Sequence, residues 1–175
     1  MSISERSVIG GGRPLSSTGE FSLDSELKSG SRGLNPVSTL SEAVEACVRD
    51  CLLLQSSDVH VEVDFGCSSF RVIDNGRGLS KEDLRVCASG GGPVEGRNIG
   101  LGSVCRCAVV DIQSRQQGRF ETYRCICRGG NVLEIKPCAE GKSRPGTIVV
   151  VKDCFFSQRI PQCLGGGKRW VCVFY

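Results

Sequence analysis

The sequence predicts an α+β two-layer sandwich, and three observations carry that prediction. Runs of period-two alternation bunch together, helical segments stand apart from them, and no internal repeat is visible. The 175 residues suit one domain, large enough to bury about two-thirds of the surface its unfolded chain exposes. A hydrophobic fraction of 39% suffices for a core of that kind.

Residues 1–36 are rich in Gly, Ser, Arg and Glu, which predicts a poorly ordered arm with room for one short strand or turn. A helix is predicted from "STLSEAVEACVRDCLLL". Thr39 and Glu42 make a capping box, and Leu40, Val44, Cys47, Val48, Cys51 and Leu52 recur at helical spacing. Glu45 and Arg49 stand four apart on the other side. Two alternating runs, "VHVEVDF" and "SFRVIDNG", joined through Gly66-Cys67-Ser68, then read as a hairpin. "SKEDLRVCA" reads as a short helix N-capped by Ser80, with Glu82 and Asp83 in its first turn. The glycine-rich stretch "SGGGPVEGRNIGLGS" predicts a mobile loop leading into a helix. Strands are expected at "AVVDIQSR", "ETYRCICR", "NVLEIKPC" and "GTIVVVKDCFF", the last after the turn "KSRPG".

Bulk properties narrow the function classes. A net charge of +3 is too small to argue nucleic-acid binding by itself. No apolar run approaches the roughly 20 residues needed to span a bilayer, so no membrane partner is expected. The opening "MSISERSVIGGGRPLSSTGEF" has no apolar signal core, which predicts a chain that is not secreted. Twelve cysteines invite a zinc or disulfide reading, but no C-x-x-C pair occurs and His60 has no partner at metal-ligand spacing. Small buried thiols in a reducing compartment are the preferred reading, with a structural metal and disulfides as alternatives. The i, i+2 pairs in "VCRCAVV" and "YRCICR" are expected to lie on one face of a strand.

The chemistry-bearing pattern is an ordered set. A strand ends on D-x-G-x-G (Asp74 to Gly78), a glycine-rich loop follows, and Gly146-Thr147 opens the last strand. A carboxylate such as Asp74 can accept the exocyclic amine of adenine, and glycines let backbone approach a flat base. Loop amides leading into a helix can cradle phosphates. D-x-G-x-G is common in surface turns and glycine-rich loops are usually linkers, so the order of the set carries the argument.

These residues resemble the GHKL ATPases, and specifically the amino-terminal ATPase domain of the MutL mismatch-repair proteins. "VIDNGRGLSKEDL" looks like the family's second motif, and "GTIVVVKDCFFSQ" is similar to its "GTTVTVRDLFY". "GRNIGLGSV" lines up with "FRGEALASI", sharing Arg97, Leu101 and Ser103. The resemblance runs from about Gly33 to Ile160, and the wording "FFSQ" points to the eukaryotic branch linked to meiotic recombination. It implies the Bergerat sandwich, a mixed, largely antiparallel sheet with helices on one face, over residues 37–160. It implies ATP and Mg²⁺ as cofactors, with Asp74 on adenine, Gly76 and Gly78 beside the base and Thr147 nearby. The loop from Ser89 to Gly102 would be an ATP lid, with Arg97, Gly100, Leu101, Gly102 and Ser103 near the phosphates. It also implies a nuclear protein that answers DNA damage, pairing with a second MutL-type subunit as a heterodimer and closing as a clamp on duplex or mismatched DNA.

The family's first motif departs from its pattern here. It carries a glutamate that activates water and, four residues later, an asparagine that binds Mg²⁺. Aligned without gaps, those positions are Ala46 and Asp50; a one-residue shift restores Glu45 but places Arg49 at the metal position. Asp50 could hold Mg²⁺. Loss of the general base predicts hydrolysis weaker by roughly 10²–10⁴-fold. Residues 161–175 are expected to be a truncated or divergent tail. Three readings follow: a weakly active mismatch-repair ATPase, a catalytically dead interaction module, and a non-functional fragment. Arg97, Arg106, Arg115, Arg119, Arg124, Arg128 and Lys136 are candidates for a basic DNA-facing surface, or are scattered solvated charges.

Overall fold

The computed structural model describes residues 4–6, 37–90, 93–94, 97–155 and 169–174. Three helices, α1 (Leu40–Leu53), α2 (Lys81–Ala88) and α3 (Leu101–Cys107), lie on the sequence stretches read as helical. Ten strands accompany them: β1 (Ser4–Arg6), β2 (Val59–Asp64), β3 (Ser69–Asp74), β4 (Pro93–Val94), β5 (Arg97–Asn98), β6 (Val109–Arg115), β7 (Thr122–Arg128), β8 (Asn131–Pro137), β9 (Gly146–Lys152) and β10 (Arg169–Phe174). Eight of them form one sheet in the order β1-β10-β2-β3-β9-β6-β7-β8, and every described pairing is antiparallel. β4 and β5 make a small ribbon inside the glycine-rich stretch.

The local chemistry explains each helix. Thr39 Oγ1 accepts from Glu42 N–H while the Glu42 carboxylate accepts from Thr39 N–H, closing a capping box at α1. Ser80 and Asp83 do the same at α2. The apolar stripe of α1 buries Ala43, Cys47 and Cys51 against inward residues of the sheet, among them Val59, Val72 and Val149. Leu84 and Cys87 of α2 and Val104 and Cys105 of α3 complete the same core. The α+β two-layer arrangement expected from the sequence is the one observed.

Two expectations need amendment. Cys105 and Cys107 are not on a strand: the helix predicted after the glycine-rich loop runs through both, and the strand begins at Val109. On a helix two residues apart point to different sides, so Cys105 is buried and Cys107 only half so. Cys125 and Cys127, on β7, do share the inward face. The arm at 1–36 lies outside the described residues apart from β1, and the segment expected as a divergent tail contributes β10, which joins the sheet between β1 and β2.

β9 positions the site. It pairs β3 on one side and β6 on the other, joining the β2–β3 hairpin to the β6–β7–β8 meander. Ile73 faces Ile148 and Ser114 faces Thr147, so the end of β3, the start of β9 and the end of β6 meet at one edge of the core.

Candidate functional site

At that edge Asp74 is buried, 5% exposed, on the last residue of β3. Its Oδ1 accepts from Gly76 N–H at 2.7 Å and from the Ser56 hydroxyl at 3.2 Å. Its Oδ2 accepts from the Cys51 thiol at 3.7 Å, and the Thr147 backbone N–H also donates to the carboxylate. Burial pushes the carboxyl above its ordinary range, against the pull of these donors and of the Lys142 ammonium. Lys142 Nζ donates to the Asp74 carbonyl at 3.3 Å. Thr147 is buried too, with its hydroxyl 3.0 Å from Ser114 Oγ. Ser114 Oγ in turn accepts from Leu79 N–H at 2.7 Å.

The two glycines of D-x-G-x-G serve the protein's own packing. A Cβ on Gly76 would stand 2.4 Å from Ser56 Oγ and 2.8 Å from the Leu54 carbonyl. Gly78 has φ +67°, and a Cβ there would meet the Arg115 carbonyl at 2.0 Å. The space expected beside these glycines for a base is therefore filled by the loop after α1 and by the end of β6.

Asp50 holds the other side. It is buried, 6% exposed, and its Oδ1 and Oδ2 accept from the backbone N–H groups of Gly100 and Leu101 at 2.8 and 2.6 Å. Burial raises its pKa to about 7, outweighing those two amides. The loop amides expected near phosphates are thus bound to a carboxylate of α1, which staples the start of α3 to α1. Each Asp50 oxygen thus carries one amide bond, and Ala46 beside it adds no ligand. Ala46 packs against Gly100, where a Cβ would come within 3.0 Å of the Ala46 methyl.

The one-residue shift would recruit Glu45. Glu45 lies on the solvent side of α1, 45% exposed, bridged to Arg49 Nη2 at 2.7 Å. Neither register supplies a base to the cavity. Between α1 and the sheet lies a cavity of about 20 Å³, lined by Cys47, Asp50, Cys51, Asp74, Leu101 and Thr147 among others. That is the space of a water molecule rather than of a purine ring.

The structure therefore joins Asp74, Gly76 and Thr147 in one network, with Gly78 packed on Arg115, and Asp50, Gly100 and Leu101 in a second across the cavity. Gly102 and Ser103 are buried inside α3, and Ser103 Oγ accepts from Arg106 Nη2 at 3.3 Å. The side chain of Arg97 lies outside the described residues; its backbone is in β5. Sequence reasoning missed Ser56, Ser114, Cys51 and Lys142. Only Ser114 left a signal, a polar residue at an inward position of an otherwise apolar alternation.

The arginines proposed as a basic face are largely engaged. Arg106 donates to the Gly90 carbonyl, and Arg115 to the carbonyls of Lys142 and Ser143. Arg124 pairs with Asp111, and Lys136 with Glu134 at 2.9 Å. The ten described cysteines are free thiols, seven of them buried. No described helix is long and apolar enough to cross a membrane.

Comparison with known proteins sets this geometry in context. No family model matches the chain. It is 28% identical over 137 residues to the DNA mismatch repair protein MutL of Clostridium botulinum, covering 70% of this chain and 19% of that protein. It is 36% identical over 99 residues to the MutL of Agrobacterium fabrum, covering 50% of this chain and 16% of that protein. The chain thus spans less than a fifth of these relatives. Among solved structures its fold is similar to the Aquifex aeolicus MutL ATPase domain complexed with ADP, at 24% identity and a TM-score of 0.57 over 75% of this chain and 48% of that one. It is also similar to the N-terminal domain of a DNA repair protein, at 17% identity and a TM-score of 0.54, over 72% of this chain and 39% of that one. The curated relatives are thus MutL proteins, and the fold is the one seen in a solved MutL ATPase domain.

Proposed function

We propose that this chain is the nucleotide-binding module of a MutL-type mismatch-repair protein, seating adenine at Asp74 without turning ATP over. One observation carries the reading: Asp74 is held buried at the strand end, while the position of the water-activating base is Ala46 and Glu45 faces solvent. The buried carboxylate fits the adenine amine; the cavity of about 20 Å³ does not yet fit the ring, so the staple from Asp50 to Gly100 and Leu101 must open for entry. Each Asp50 oxygen accepts one amide and keeps a lone pair, so this carboxylate would be the Mg²⁺ ligand of the site. Pairing with a second MutL-type subunit, a clamp on duplex or mismatched DNA, nuclear location and meiotic recombination belong to the same proposal, supported by the mismatch-repair relatives and the wording "FFSQ".

A second reading is favoured by the small cavity: a dead module that keeps the fold for partner contact alone. Thermal unfolding with ATP and with ADP separates the two. Ligand at about 100 times Kd should stabilise the protein by about 2.7 kcal/mol, and Asp74→Asn should abolish the shift. An unchanged melting temperature in the wild type sinks nucleotide binding and leaves the second reading. Phosphate release should stay at background in the wild type; turnover at an ordinary ATPase rate would refute the loss of hydrolysis.

A further inference from the structure

Cys107 ends α3, and Cys154 sits two residues past the end of β9. The last β6–β9 pair is Val109 with Lys152, and the two segments stay together just beyond it. Other contacts hold the two segments together. Phe155 N–H donates to the Cys107 carbonyl at 2.7 Å, and Cys154 N–H to the Ser68 carbonyl at 3.2 Å. Asp153 and Phe155, either side of Cys154, are both in the left-handed region, with φ of +48° and +64°. The two sulfurs lie within hydrogen-bonding reach of each other, and the Cys107 thiol also donates to the Val104 carbonyl at 3.4 Å.

We propose that Cys107 and Cys154 are a peroxide-responsive thiol pair that closes to a disulfide, tying the end of α3 to the exit of β9. Cys107 is half-buried and so reachable from solvent, while Cys154 is buried behind it. The thiol hydrogen bond from Cys154 and the nearby Arg106 charge hold the Cys107 thiol below its ordinary range, raising its thiolate fraction. The other close pair, Cys105 and Cys127, is fully enclosed and offers no entry to an oxidant.

The chemistry is a two-electron oxidation by a hydroperoxide. The Cys107 thiolate attacks the terminal peroxide oxygen; an S–O bond forms, the O–O bond breaks, and the sulfenic acid is left while the departing alkoxide, or hydroxide from hydrogen peroxide, takes a proton from solvent. The Cys154 sulfur then attacks the sulfenyl sulfur. An S–S bond forms, the S–O bond breaks, and the departing hydroxide takes the Cys154 proton as water. Because Asp50 already holds the start of α3, the disulfide would fix that helix at both ends. The thiol pair lies apart from Asp74 and needs no bound nucleotide to close.

The test is peroxide treatment of the full chain, alkylation of the remaining thiols, and mapping of non-reduced peptides. The expected result is a cross-linked pair joining Cys107 to Cys154, lighter than the two thiol peptides by two hydrogen atoms and released by dithiothreitol. In Cys107→Ser the same exposure should leave Cys154 open to alkylation after unfolding. The proposal is overturned if exposed Cys67 oxidises while both thiols are recovered alkylated. Recovery of Cys107 as sulfinic acid with Cys154 alkylated overturns it equally. The wild-type map decides by itself should the variant fail to fold.

Discussion

Asp50 and Asp74 face one cavity, and each is raised by burial while being held by backbone amides. For Asp50 the folded pKa is about 7 against an ordinary 3.8. Between those values the unfolded chain has already lost a proton that the folded chain keeps, so stability falls as pH rises from about 4 to 7 and levels off above. The fall due to this residue is up to about 4 kcal/mol. Asp74 acts in the same direction, so the comparison that isolates Asp50 is denaturant melting of wild type against Asp50→Asn from pH 4.5 to 7.5. The variant should show the shallower decline. At this scale the sequence made Asp74 and Thr147 legible, because D-x-G-x-G and the GT pair mark strand ends. It could not reveal that Gly100 and Leu101 donate to Asp50, since that bond joins residues half a domain apart in the chain. Ser56 and Lys142 were equally hidden: each lies in a polar stretch whose composition says only that it is a loop.

Capping and periodicity made the longer elements readable one by one. The Thr39–Glu42 and Ser80–Asp83 boxes both formed where the residue types placed them. Ser80→Ala removes the acceptor for Asp83 N–H and should cost about 1 kcal/mol in urea unfolding. A loss below about 0.3 kcal/mol would mean that the Asp83 carboxylate, which accepts from Ser80 N–H at 3.0 Å, sets the start of α2 instead. The misplacement of Cys105 and Cys107 has a physical cause. "VCRCAVV" is short, apolar and β-branched, and a seven-residue helix shows too few turns to declare its period. α3 holds its shape through the core contacts of Leu101, Val104 and Cys105, with the Asp50 carboxylate satisfying its first amides.

For the molecule as a whole, the two-layer class was legible from how strands and helices are distributed, whereas the spatial order of strands was not. Alternation says which face of a strand is buried; it does not say that β9 inserts between β3 and β6. With partners on both sides and Val149 and Val151 buried, β9 should protect its amides longest. Hydrogen exchange should therefore release β8 first and β9 with the global unfolding event. β8 lies at the sheet edge with Leu133 63% exposed, which places it at the weak end of that ranking.

The central seat of β9 also orders events during synthesis. A nascent chain that has emerged as far as Pro137 already owns the hairpin and the meander, but holds them as two halves with no strand between them. Until Gly146–Lys152 leaves the ribosome, the facing edges of β3 and β6 are open to any extended chain that passes. Translation speed through those last residues, and a chaperone's hold on the two waiting edges, would then govern how much of this protein reaches its folded form.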